Sequence, residues 1–232
     1  DDSQVRPYCE INVSNATVKG KNYAISNNST ASTAEKPSVK LTSGTIESTG
    51  TSALYNFNSG YVYLAGGTVK NTGVSSCIVS ISTGTIHVDG ATVLKEGTKN
   101  YAINNTKEGE IIITKGSVTA TQTTAIYMKN GTVTIGKNDS TVSTTSPVIS
   151  GGAYGLHKTS TVTSNFYDGI IKGADGKAIY GLIDNMPTGY NVQKTTEDGI
   201  QSAILVKANY AEYDSNNNIV TWTFTGKKEV VA

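Results

Sequence analysis

A short phrase, one small residue followed by Ile or Leu, returns seven times along this chain. It reads Ala24-Ile25, Ala53-Leu54, Cys77-Ile78, Ala102-Ile103, Ala125-Ile126, Gly155-Leu156 and Ala178-Ile179. The steps between them are 29, 24, 25, 23, 30 and 23 residues, a mean of about 26. A fixed period in the range of roughly 20–50 residues is the mark of stacked repeats, and it constrains the fold more than any other feature of the text.

Aligning the units on this phrase exposes two further anchors upstream of it. The first is an aliphatic pair separated by one residue: Ile11/Val13, Val39/Leu41, Val62/Leu64, Ile86/Val88, Ile111/Ile113 and Val133/Ile135. The second begins with Gly or Ala, continues with Thr or Ser and ends on an aliphatic: Ala16 to Val18, Gly44 to Ile46, Gly67 to Val69, Ala91 to Val93 and Gly116 to Val118. Each unit therefore carries three short extended segments with period-two alternation, separated by Gly, Asn and Ser. No unit can bury its aliphatic row alone, and stacking the units makes one continuous core.

The expected fold is all-β: a right-handed parallel β-helix of about seven coils, with coils ~4.8 Å apart and a shaft of roughly 34 Å. Leucine-rich repeats would need more Leu, and propeller blades need ~40 residues or more. The two long steps predict loops thrown out of the shaft near Asn28 to Ser38 and Lys137 to Val148. Three residues after the small residue stand Asn27, Asn56, Ser80 and Asn105, until Met128 breaks the pattern. This predicts a partial ladder of hydrogen-bonded amides in the first four coils.

The rhythm stops after Ile179. Residues 1–182 are assigned to the β-helix, with 1–10 as its N-terminal cap, and 183–232 to a capping β segment or the start of a following module. In the latter, Tyr210 to Tyr213 and Ile219 to Thr225 flank a polar Asp/Ser/Asn turn and read as a hairpin. Val220, Trp222 and Phe224 share one face of it, suited to covering the last coil, because an open solenoid end invites edge-to-edge association.

Composition narrows the function. Charged residues make up 16% and the formal net charge is +1, which does not draw the chain to nucleic acid or anionic lipid. Arg6 is the only Arg, so bidentate recognition of phosphate or carboxylate is poorly served. No apolar run approaches the ~20 residues of a membrane-spanning helix. The chain begins at Asp1 without an initiator Met and reads as a processed or excised piece of something larger. Of the two cysteines, Cys77 fills the small-residue slot and reads as a buried apolar residue, with a bridge to Cys9 left open.

Candidate chemistry is sparse. The Asp residues are dispersed (Asp89, Asp139, Asp168, Asp175, Asp184, Asp198), and most stand beside Gly, Ser or Asn, where they form turns. Glycan hydrolysis or elimination needs clustered carboxylates or a base beside them, so no catalytic residue, metal ligand or cofactor is expected. His87 and His157 fall on outward slots with no second ligand at metal spacing and read as solvated. What remains is surface. One outward column carries Tyr55, Tyr127, His157 and Tyr180, with Val79 and Asn104 between them, and Tyr63 is added from the first strand face. Tyrosine is a rigid amphipathic contact residue, which makes these five the candidate ligand-binding residues. The Thr17, Thr45, Thr68, Thr92 and Ser117 column is read as ordinary strand surface, because Lys19, Glu47 and Lys70 break the flat face an ice-binding array needs.

The stretch Asn165 to Gly173, followed by Ala178 to Gly181 and Pro187 to Tyr190, resembles the closing element of repeat-rich surface proteins of gut Firmicutes. The Gly-Thr-Val and Ala-Ile phrases resemble the pectate-lyase-like β-helix repeats of the same proteins. The resemblance spans roughly residues 10–210 and specifies fold far better than function. It implies an extracellular module of a Gram-positive bacterium, attached to the cell wall through parts outside this chain. The expected role is a non-catalytic, monomeric stalk or adhesin that presents a face to a host protein, such as an immunoglobulin or mucin, or to a glycan. Two alternatives stay open: a polysaccharide-active β-helix enzyme or its carbohydrate-binding module, and a purely structural spacer.

Overall fold

A computed structural model describes residues 10–30, 32–139, 141–208, 210–213, 215–216 and 219–223. Among these residues there is no helix, and strands stack in parallel into a β-solenoid of about seven turns. The three anchors of the repeat become its three faces. The first face runs from Ile11–Val13 through Val39–Leu41 and Val62–Leu64 to Thr163–Phe166. The second runs from Ala16–Gly20 through Gly44–Ser48 and Thr68–Asn71 to Ile170–Ala174. The third is a separate seven-stranded sheet holding the small-aliphatic phrase, from Tyr23–Asn27 to Ile179–Tyr180. In the middle of the shaft the eleven-residue strands Thr85–Lys95 and Glu110–Ala120 bend through a corner and belong to the first two faces at once.

Registers are residue-to-residue. Leu54 pairs with Ile25 and Ile78, Ile103 with Ile78 and Ile126, and Leu156 with Ile126 and Ile179. Inward side chains of one coil therefore lie on those of the next and form unbroken aliphatic rows. Ala53, Cys77, Ala102, Ala125 and Ala178 are sealed from solvent beside them, whereas Ala24 in the first coil is only partly buried. Burial pushes the free Cys77 thiol pKa up, while Cys9 lies outside the described residues. Small residues in the second anchor serve the corner between faces. At Gly67 φ is +73°, and a Cβ would stand 2.6 Å from the Gly44 carbonyl oxygen, so the neighbouring coil leaves no room for a side chain.

Polar side chains also point inward. Asn27 donates to Asn56 Oδ1 at 2.7 Å, but the expected amide ladder stops there. Asn56 turns to Gly60 O and the Ser82 hydroxyl, Ser80 meets Ser82, and Asn105 donates to Lys107 O and Asn130 O. Beyond Asn56 no amide of this column meets another among the described residues: Ser80 interrupts the stack, and Asn56 and Asn105 each tie their own corner to a hydroxyl or carbonyl of the next coil. The same column continues through buried Met128 to buried Lys158. A parallel column on the second face, Ser48, Asn71 and Lys95, ends likewise in a fully buried lysine, whose Nζ donates to Asn71 Oδ1 and Gly73 O. Burial lowers the Lys95 pKa.

Among the described residues the two expected excursions, Asn28 to Ser38 and Lys137 to Val148, carry no strand except that Val148 opens the strand Val148–Gly151. At the C-terminal end the second face is finished by a hairpin, Tyr190–Glu197 and Ile200–Lys207, turned by Asp198-Gly199 with both residues at positive φ. Its inner strand pairs antiparallel with Ile170–Ala174 and lays Ala203 and Leu205 on the core. This hairpin lies on the last coil. Strands Tyr210–Tyr213 and Ile219–Thr223 do pair as a hairpin. The side chains of Val220, Trp222 and Phe224 lie outside those described. So do residues 1–9 of the expected N-terminal cap.

Candidate binding face

The capping hairpin pairs with the second face at the shaft's end. Among the described residues Ile179–Tyr180 closes the third face with a single strand neighbour, Leu156–Lys158, and on its other side the adjoining Ala178 amide donates to Gln201 Oε1 of the hairpin. Two columns supply the rings of this face. One, at outward positions, holds Ser26, Tyr55, Val79, Asn104, Tyr127, His157 and Tyr180, in register across successive strands. The other is the residue before each small-aliphatic phrase, where Ser52, Ser76 and Thr124 are buried but Tyr23, Tyr101 and Tyr154 bring rings to the surface.

Together the columns make two aromatic clusters. In the first coils Tyr23 lies 5.0 Å from Tyr55, which stacks on Phe57 at 6.3 Å. Val79 and Asn104 then interrupt the rings. Beyond the gap, Tyr101 and Tyr127 stack at 4.7 Å, His157 meets Tyr127 edge-on at 5.2 Å, and Tyr180 lies 4.4 Å from His157. Tyr154 touches both His157 and Tyr180, and the Lys177 ammonium sits 5.8 Å from the Tyr154 ring centre. Burial among these rings lowers the His157 pKa and, with Tyr127 beside it, raises that of Tyr101. His157 is therefore a ring packed among rings rather than a solvated side chain.

The continuous row runs into a groove of ≈ 730 Å³ at the shaft's end. Tyr180, 53% exposed, and Leu182, 81% exposed, form its apolar part. Lys158, Ser160 and Asp184 add polar atoms. The Lys158 ammonium donates to Val162 O at 2.8 Å and Asp184 Oδ2 at 2.5 Å. Asp184 Oδ2 also accepts from the Ser164 amide and hydroxyl. Burial alone would raise the Asp184 pKa, but the hydrogen bonds from Lys158 and Ser164 outweigh it and hold the carboxyl below its ordinary range.

Tyr63 does not belong to this surface. It lies on the first face, where it donates to Asp89 Oδ2 at 2.8 Å within a separate polar cluster. Thr114 Oγ1 sits 2.6 Å from Asp89 Oδ1 and must donate its one proton there, since an ionised carboxylate only accepts. His87 Nε2, 3.0 Å from Thr114, is then the donor of that pair, and His87 Nδ1 accepts from the Tyr61 hydroxyl at 2.8 Å. His87 is thus bonded at both nitrogens rather than solvated, and burial lowers its pKa. Burial, with Glu110 next, pushes Tyr61 up to about 12.

The dispersed carboxylates stay apart. Asp168 accepts from the Ser143 and Gly169 amides, and burial raises its pKa, with Asp139 adding a little. Among the described residues no group of three or more His, Cys, Asp and Glu side chains could hold a metal ion. Comparison of the chain with protein-family models, curated proteins and solved structures returns no match.

Proposed function

We propose that this solenoid is a non-catalytic, extracellular module of a bacterial surface protein, akin to the pectate-lyase-like repeat regions of gut Firmicutes. It acts as a β-helical stalk whose third face binds a host protein or a glycan, as a monomer held to the cell wall through other parts of its parent. One observation carries the reading: the aromatic row from Tyr101 to Tyr180 ends on a groove with half-exposed Tyr180 and exposed Leu182. Val74 and Ile200 also face solvent, but Tyr180 and Leu182 stand together beside the groove. A graded strip of rings leading to an open groove suits recognition. A screen of the purified chain against host glycans and secreted host proteins tests this. A saturable ligand lost on replacing Tyr127 and Tyr180 with Ala supports it, and binding that survives the replacement removes it.

A second reading, a polysaccharide-active enzyme, draws on the His87 cluster. Charges from both excursions act there, Glu35 on Tyr61 and Lys137 on His87 and Asp89. Against it, both oxygens of Asp89 and both nitrogens of His87 are already committed to neighbours. Release of reducing or unsaturated ends from pectate, xylan or mannan, abolished by His87→Ala, would favour this reading over the first.

A further inference from the structure

We infer that the groove between Tyr180, Leu182 and Asp184 receives an uncharged pyranose ring of a glycan, resting on the reading of the third face as the binding face. A pyranose presents an apolar C–H surface and a rim of hydroxyl donors, and the groove offers the complement of both. Tyr180 is backed by His157 at 4.4 Å and Tyr154 at 5.7 Å, so its orientation is fixed before a ligand arrives, yet half of it remains open. Leu182, at 81% exposure, stands beside it.

The polar side of the groove is equally specific. Asp184 Oδ2 is saturated by Lys158 and by two donors of Ser164. Among the described residues no hydrogen bond reaches Asp184 Oδ1, and this side chain is 42% exposed. A fixed, ionised oxygen at the rim accepts hydroxyl protons well. The same oxygen repels a uronate or sialate carboxylate. Lys158 offsets part of that repulsion, but its side chain is 5% exposed and its ammonium is bound to Val162 O and Asp184, so it offers a uronate no free donor. The Ser160 hydroxyl lines the opposite part of the groove. At ≈ 730 Å³ the space suits a few sugar rings rather than a folded partner.

The experiment is calorimetric titration of the chain with xylohexaose, mannohexaose, cellohexaose, hexagalacturonate and sialyllactose, beside a panel of secreted host proteins. At least one uncharged hexasaccharide is expected to bind, and the acidic sugars at least about tenfold more weakly. Tyr180→Ala should cost that sugar about tenfold, and Tyr180→Phe, which keeps the ring but not the hydroxyl, should recover most of that loss. Asp184→Asn should narrow the gap between neutral and acidic sugars, with Tyr180→Phe as the folded reference should that variant be destabilised. Tighter binding of the acidic sugars, or no sugar bound while a host protein binds the face, overturns the inference and leaves the binding-face reading standing. No ligand in either panel overturns both.

Discussion

In the middle coils, strands Thr85–Lys95 and Glu110–Ala120 are flanked on both sides, and every inward aliphatic is sealed from solvent. Outward polar side chains there bond to one another across coils, as Tyr63, Asp89, Thr114 and His87 do. At the C-terminal end the same repeat has lost one neighbour. Among the described residues Ile179–Tyr180 has one strand neighbour, Tyr180, Leu182 and Ile200 are exposed, and a buried lysine reaches out to a half-exposed carboxylate. A solenoid's stability is a sum of coil and interface contributions, so a central coil contributes two interfaces and a terminal one a single interface. The middle can therefore hold the shaft together while the end is free to carry recognition.

The sharpest way to break this contrast is Ile103→Asp. It places an unpaired carboxylate in a fully buried row of the central coils and should cost several kcal/mol, read as loss of cooperative unfolding in urea. Lys158→Ala probes the end. It leaves Val162 O and Asp184 short of a donor, but Asp184 is partly solvated, so about 1–2 kcal/mol is expected by the same measurement.

Smaller still is Tyr127→Ala, outside the core, where only ring contacts with Tyr101 and His157 are lost. A change of ~1 kcal/mol or less is expected. Equal melting of Ile103→Asp and Tyr127→Ala would erase the distinction between inside and outside.

The smallest effects are with pH. The folded His157 pKa lies below its ordinary 6.5, so the unfolded chain binds the proton more readily. Stability should therefore fall as pH drops from 6.5 toward the folded pKa, and His157→Phe should make that part of a melting-temperature profile shallower, leaving the slope due to His87, whose pKa burial also lowers. Asp184 acts lower. Its folded pKa is depressed, so its contribution is present above the ordinary 3.8 and is lost as pH falls through the folded value. Asp184→Asn should remove that second step.

Three anchors with fixed order made the three faces legible in the sequence, because period-two alternation and a constant repeat leave few other ways to bury the aliphatics. The inward lysines were not legible. Lys95 and Lys158 look like solvated charges in isolation, and only their slots two residues beyond Val93 and Leu156 place them inside. Half of the aromatic face was legible from the Tyr127, His157 and Tyr180 column. Tyr101 and Tyr154 were missed, although a signal existed in the position before Ala102 and Gly155. Tyr63 was legible as a first-face residue, but its bond to Asp89, which sets it apart from the aromatic row, needed the structure. The groove itself needed the structure, since it depends on where the Tyr190–Lys207 hairpin docks.

The central claim is that the end of the third face binds a ligand. Its most direct test is a binding comparison of the parent chain with a Tyr101→Ala, Tyr127→Ala, Tyr180→Ala triple variant of matched thermal stability, run against arrayed glycans and secreted host proteins. Saturable binding by the parent and its loss in the triple variant is the predicted result. Equal binding by both, or none by the parent, would contradict the account and leave the solenoid as a spacer.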